Sequence, residues 1–369
     1  MKNAKRRIEI IIVTVFTLFY GTLLIIFARD VKGAIADSIR LCLYTVIPSL
    51  YAFMVTASLV VSTGIYKVLS RPFSVISRKI FHIPTEFFSI FLLSSIAGYP
   101  VGAKLLSRLL KDNKIDSETA ASMQCYCYSG GPAFFCGAVS LTLFDNIAFG
   151  LLIFAVVFSS NIISAIIIGL KKPIPPVTED CLKVNFNTEK LLSAVKDGGI
   201  SILSMCGIII FFASFIAVLQ KLGFFTIFAL LLKRITDITV SDAESLLKST
   251  LEINNILSLS SGKPGLLPIV TSLLSFGGLC VVVQILQFSI EYIKLSKFLI
   301  YRLFTSVVCI FLTKFILILF PALTATFAVA ARNGGFTRGT PLPSIFLICM
   351  TVILLTFDLH MKKFPHKKV

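Results

Sequence analysis

Residues 94–102 of the chain read SSIAGYPVG and lie inside an apolar run, residues 87–110, that is long enough to cross a bilayer. Two glycines and a proline stand where an unbroken transmembrane helix favours Leu or Ala, because proline lacks a backbone N–H and glycine weakens a helix. Residues 129–132, SGGP, interrupt the next apolar run in the same way. Both stretches predict broken or re-entrant helices, with a proline kink and close glycine packing as the alternative.

The whole chain has the composition of a membrane protein. Of its 369 residues 56% are hydrophobic and 14% charged, and its mean hydropathy is +0.92, whereas soluble proteins contain about 25% charged residues. We therefore expect an all-α, polytopic integral membrane protein with about 8–10 transmembrane segments. The candidate spans are residues 8–27 (taken as uncleaved), 39–61, 87–110, 120–144, 147–170, 200–219, 266–290, 298–320 and 344–357.

The net charge of +17 comes from short clusters of Lys and Arg between the apolar runs, such as those at residues 71–79 and 171–172. This distribution favours the positive-inside bias and anionic lipid head groups over nucleic acid as the partner. Both clusters are expected on the inner side, yet three candidate spans separate them. An odd number of crossings is inconsistent with that placement, so one of the three is predicted not to cross fully.

A weak internal repeat predicts two related halves. Shifted by about 180 residues, the sequence SIAG at residues 95–98 aligns with SFGG at residues 275–278. Glycine breaks at matching positions are typical of transporters whose site lies between two repeats, although apolar segments also align by chance. The predicted divisions are an N-terminal span (1–36), a first half (37–172), a polar linker (173–196), a second half (197–330) and a C-terminal span with a basic tail (331–369).

Several polar residues stand in or beside apolar runs. Lys104 and Arg108 share a helix face, so Lys104 is either an anion contact or a side chain that reaches the membrane surface. Gln284 is the matching position in the second half. Glu252, which is followed by two asparagines, could hydrogen-bond ribose-like or amide groups, or could belong to a solvated interfacial helix.

The sequence carries no Walker loop, H-E-x-x-H motif or nucleophile elbow. Six of the nine cysteines lie in apolar segments, where thiols act as small hydrophobic side chains. Cys125 and Cys127 are close in sequence, but the histidines are distant. We therefore expect no catalytic residue, no metal and no cofactor.

Four stretches in order, GYPVGAK (98–104), SGGPAF (129–134), EINN (252–255) and LSFGG (274–278), resemble the YlbJ-type sporulation integral membrane proteins. That family is grouped with the nucleoside recognition, or Gate, domain proteins. The resemblance covers residues 37–321 and is most specific at residues 98–104. It implies a multi-pass protein of the bacterial cell membrane, in a sporulation-stage membrane, that acts in formation of the spore cortex and has a transport-like fold.

These observations together predict a protein that moves or senses a small polar solute; a membrane component that recruits cortex-building enzymes without transport is the alternative. The breaks at residues 94–102 and 274–278 are expected to face one another across a pseudo-symmetry axis. The candidate ligand-binding residues are Gly98, Tyr99, Pro100, Gly102, Lys104, Ser129, Gly130, Pro132, Glu252, Asn254, Asn255, Ser275, Gly277, Gly278 and Gln284.

Overall fold

The structure is a computed structural model that describes residues 2–173, 184–260 and 264–320, and every regular element in those ranges is helical. The predicted all-α class is therefore confirmed. The predicted span at residues 344–357, the basic tail and residues 174–183 of the predicted linker lie outside the described residues.

Ten α-helices precede the gap at residue 174, together with two π-helical turns, Cys42–Val46 and Ala133–Ser140. They are α1 (Lys2–Ile26), α2 (Ala28–Leu41), α3 (Ile47–Thr63), α4 (Ile65–Ser70), α5 (Ser74–Lys79), α6 (Phe88–Ala97), α7 (Val101–Lys111), α8 (Ser117–Gln124), α9 (Leu141–Phe144) and α10 (Ile147–Gly169).

Six α-helices follow that gap, and a 3₁₀ turn, Ile253–Ser258, separates the third of them from the fourth. They are α11 (Thr188–Lys221), α12 (Phe224–Ile235), α13 (Val240–Leu251), α14 (Leu267–Phe276), α15 (Gly278–Ser289) and α16 (Leu295–Leu319). Helix α11 begins inside the predicted linker, because the Asn187 side chain accepts a hydrogen bond from Lys190 N and caps the helix there.

Within the described residues, five helical segments are long and apolar enough to cross a membrane: Ala28–Thr63, Ile147–Gly169, Thr188–Lys221, Leu267–Ser289 and Leu295–Leu319. Three shorter apolar helices add Ile10–Ile26, Thr85–Ala97 and Ala133–Phe144. The chain is therefore a multi-pass membrane protein. Among the predicted windows that the structure describes, 87–110 and 120–144 are each interrupted over several residues, because their glycine and proline stretches do not continue the helix.

The breaks differ in length. Helix α6 ends at Ala97, Gly98 takes a φ of +85°, the Tyr99–Pro100 peptide bond is cis, and α7 begins at Val101. By contrast, Gly277 alone separates α14 from α15, with a φ of +80° that strongly favours glycine. The first break therefore interrupts the helix over three residues, whereas the second interrupts it at one.

Helices from the two predicted halves pack closely on each other. Helix α3 lies against α11, α7 against α15, and α10 against both α14 and α16. Each of the two buried hydrophobic clusters combines residues from both predicted halves. The two halves therefore share their cores, and the division at the linker stays a prediction from the repeat.

Candidate functional site

The breaks of the two predicted halves are in direct contact. The Tyr99 hydroxyl donates to the Leu274 carbonyl oxygen, and the Tyr128 hydroxyl donates to the Phe276 carbonyl oxygen at 2.5 Å. Both acceptors lie at the end of α14, where carbonyl groups lack partners within the helix. Tyrosines beside the first-half breaks thus satisfy the backbone of the second-half break. The predicted meeting of residues 94–102 with 274–278 is present, while the pseudo-symmetry axis stays a prediction.

Small residues make this contact possible. A Cβ atom on Gly277 would overlap the Tyr128 hydroxyl, and one on Gly102 would overlap the Cys127 carbonyl oxygen. The Tyr99 and Tyr128 rings lie 4.7 Å apart between their centres. Glycine is required at these places because neighbouring chain segments approach too closely for any side chain.

A cavity of about 60 Å³ lies beside Tyr99, large enough for a few water molecules or a small solute. Five of the sequence-predicted candidates border it, from four separate segments of the chain. They are Tyr99, Gly130, Glu252, Asn254 and Gln284. The remaining lining residues are Thr45, Val46, Ser49, Leu50, Phe134, Met205, Ile209, Ile253 and Val281.

Glu252 is the one acidic or basic residue among those that line the cavity. Its side chain is buried, and its carboxylate accepts hydrogen bonds from Asn254 N at 3.1 Å and Asn254 Nδ2 at 2.8 Å. Within the described ranges no Lys, Arg or His forms an ion pair with it. A buried, unpaired carboxylate favours solutes that carry hydrogen-bond donors or positive charge.

The helix arrangement explains the placement of Glu252. It directly follows the last residue of α13, and Gly278 at the start of α15 lies against that helix end. A Cβ on Gly278 would approach Ser249 O to 3.0 Å and Leu251 O to 3.2 Å. Gly278 therefore brings α15 close to α13, and Gln284, buried on α15, then borders the same cavity.

Lys104 lies elsewhere. Its Nζ donates to the Asp197 carbonyl oxygen at 2.9 Å, and Arg108 Nη1 pairs with Asp197 Oδ2 at 2.5 Å. The i, i+4 spacing lets both cations contact Asp197 on α11, and neither of them lines the cavity. The structure thus brings Glu252 and Gln284 together, without Lys104.

The other candidates shape the breaks without lining the cavity. Ser129 Oγ accepts from Gly131 N at 3.3 Å, and Asn255 Nδ2 donates to Glu252 O at 2.8 Å. Ser275 is buried in the last turn of α14. This group comprises Pro100, Gly102, Ser129, Pro132, Asn255, Ser275, Gly277 and Gly278, with Gly98 at the turn itself.

Two features were missed by the sequence reasoning. Thr45, in the π-helical turn, and Ser49, in the first turn of α3, both line the cavity. Their i, i+4 spacing inside an apolar run was an available signal. Arg302 is completely buried in α16, and an arginine inside a predicted span was itself a signal.

Among the described residues no cluster of three or more His, Cys, Asp or Glu could hold a metal ion.

The fold and the cavity define an α-helical, multi-pass membrane protein with a small, partly open cavity beside its broken helices. The chain is similar to the sporulation integral membrane protein YlbJ of Bacillus subtilis (strain 168), at 28% identity over 159 residues. That match covers 42% of this chain and 38% of the relative's length. No family model matches the chain, and no solved structure shows significant similarity to it.

Proposed function

We propose that the chain is a transporter-like membrane protein that binds and moves, or senses, a small polar solute at the cavity beside Tyr99. The observation that carries this proposal is the convergence of Glu252, Asn254 and Gln284 where the helix breaks meet. Broken helices with a polar site between them are the arrangement that secondary transporters use. The proposal assigns the cavity no catalytic step.

The chemistry of the lining indicates the kind of solute. The lining has one carboxylate, two amide side chains and the hydroxyls of Thr45, Ser49 and Tyr99, and its other large side chains are apolar. A few polar groups on an apolar wall orient a small ligand by hydrogen bonds. We expect a solute with several hydrogen-bond donors and a compact apolar part.

The biological setting follows from the comparison with other proteins. The relative's name supports a role for this chain in sporulation, and the resemblance of its motifs to the YlbJ-type family supports a role in forming the spore cortex. The partners in this proposal are the bilayer, a small polar solute and the proteins that assemble the cortex. Deletion of the gene is then expected to leave vegetative growth intact and to give spores of low heat resistance.

The test is a binding screen on the purified full chain in lipid nanodiscs. The thermal unfolding temperature is measured against nucleosides, amino acids, dipicolinate and cell-wall precursors, since a ligand that binds the folded state raises it. Glu252→Gln keeps the shape of the side chain and removes its charge, so it is expected to weaken binding of the responding solute about tenfold or more.

Glu244→Gln on α13 is the matched control. That carboxylate lies outside the cavity and accepts hydrogen bonds from Thr226 Oγ1 at 2.6 Å and Gln220 Nε2 at 3.1 Å. Solute binding should survive Glu244→Gln. An equal loss in both variants would contradict the proposed site. Heat-sensitive spores together with no responding solute would favour the alternative, a membrane component that recruits cortex-building enzymes.

A further inference from the structure

Arg302 lies in α16, inside the membrane-spanning segment Leu295–Leu319, and none of its surface is exposed. A charged side chain within a membrane span is costly, so such residues are rare and usually serve a ligand, an ion path or a partner charge. The cavity described above does not include Arg302. Its role therefore needs an explanation of its own.

Only one nitrogen of the guanidinium group, Nη2, donates hydrogen bonds to described residues. Arg302 Nη2 donates to the Cys125 carbonyl oxygen and to Asn161 Oδ1, the latter at 3.1 Å. Its Cζ lies 4.6 Å from the centre of the Tyr128 ring. Nε and Nη1 have no hydrogen-bond partner among the described residues. Two of its three nitrogens are thus buried donors without acceptors, a costly arrangement unless a ligand accepts from them.

No acidic residue compensates this charge in the part of the chain that the structure describes. The ionisable groups around Arg302 are Tyr128, Cys125, Tyr99 and Cys309, and none is a carboxylate. Arg108 differs in this respect, because it forms an ion pair with Asp197. Carbonyl oxygens and aromatic rings attract a cation but do not neutralise it.

We propose that Arg302 is the anion-binding residue of a second site, and that its ligand is a small oxyanion with carboxylate or phosphate oxygens. Guanidinium groups suit such ligands because several of their N–H groups can donate to one oxyanion. Asn161 and Cys125 anchor Nη2 and leave Nε and Nη1 for the ligand. The proposal does not require that the chain carry a solute across the membrane.

The route to this site passes two tyrosines. The Tyr128 ring lies over Arg302 and contacts Tyr99, which borders the cavity. Each tyrosine hydroxyl donates a hydrogen bond to a backbone carbonyl oxygen of α14. Under the proposal, an anion that enters from the cavity has to displace these two rings before it reaches the guanidinium.

The decisive variant is Asn161→Asp. It replaces the amide oxygen that lies 3.1 Å from Arg302 Nη2 with a carboxylate oxygen, so the chain supplies its own competing anion. Purified full chain in nanodiscs is titrated with inorganic phosphate or with acetate at constant ionic strength, and the unfolding temperature is followed. The unaltered chain should show a saturable rise with at least one anion, and Asn161→Asp should weaken that apparent affinity about tenfold or more.

Two controls isolate the effect. Asn146→Asp makes the same substitution at the N-cap of α10, fifteen residues before Asn161, where the side chain accepts a hydrogen bond from Ala148 N at 2.9 Å, and it should keep the response. Arg108→Gln removes a guanidinium that pairs with Asp197 and should keep the response as well. The proposal is overturned if the unaltered chain responds to neither anion, if Asn161→Asp responds as strongly as Asn146→Asp, or if Arg108→Gln abolishes the response.

Discussion

The helix breaks of the two predicted halves are stabilised in different ways. In the first half, Gly131, with a φ of +76°, lies against backbone: a Cβ there would come within 2.7 Å of Ile96 O and 3.1 Å of Gly98 N. In the second half, Gly277 is covered by a side chain, the Tyr128 hydroxyl. The backbone beside Gly131 cannot move away from a new Cβ atom without disrupting helical hydrogen bonds, whereas the side chain beside Gly277 can be shortened by mutation. The two breaks should therefore respond differently to the same substitution.

The largest effect is expected at Gly131. Gly131→Ala forces an L-residue into the left-handed region and drives its Cβ into backbone, so we expect a loss of about 2–5 kcal/mol of stability. The measurement is chemical or thermal unfolding in detergent. Gly137→Ala in the following π-helical turn is the control, because a Cβ there meets nothing within 4 Å. Equal stability of the two variants would remove the backbone contact as the cause.

Gly277→Ala is expected to lower the free energy of unfolding by less, about 2–4 kcal/mol. A second substitution, at Tyr128, should restore part of that loss. Adding Tyr128→Phe removes the hydroxyl that the new Cβ would meet, while the left-handed backbone remains. The double variant should therefore be more stable, by about 1 kcal/mol, than the sum of the two single effects predicts. Strict additivity would show that the Tyr128 hydroxyl does not restrict this position.

The smallest effect is expected at Lys104, outside the cavity. Lys104→Gln keeps a side-chain donor for the Asp197 carbonyl oxygen and leaves the Arg108–Asp197 pair in place, so the loss should stay below about 1 kcal/mol. Under the proposed function, this variant should restore heat-resistant spores to a deletion strain at matched abundance, whereas Glu252→Gln should not. If Lys104→Gln is present at normal abundance but does not restore heat-resistant spores, Lys104 is part of the functional site.

Much of the fold follows from local sequence. Long apolar windows predicted the segments at residues 147–170, 200–219, 266–290 and 298–320, because a membrane requires about 20 apolar residues in a helix. Glycine and proline predicted the interruptions at Gly98 and at residues 129–132, since those residues weaken a helix wherever they occur. Helix start points were less predictable; α11 begins at Thr188, inside the predicted linker.

The site was only partly predictable. Glu252, Asn254 and Gln284 are polar residues in or beside apolar runs, and all three border the cavity. Lys104 satisfied the same criterion, yet it contacts Asp197 on α11. Polarity in an apolar run indicates that a residue needs a partner, but it does not identify that partner.

The all-α class and the interrupted helices follow from local sequence, because bilayer thickness and backbone hydrogen bonding act on each segment separately. Which free polar groups satisfy one another depends instead on how the helices pack. Tyr99 and Tyr128 cap the end of α14, Arg302 donates to Cys125 across 177 residues, and Glu252 meets Gln284 at one cavity. Those pairings depend on how helices distant in sequence pack, and no local pattern encodes that packing.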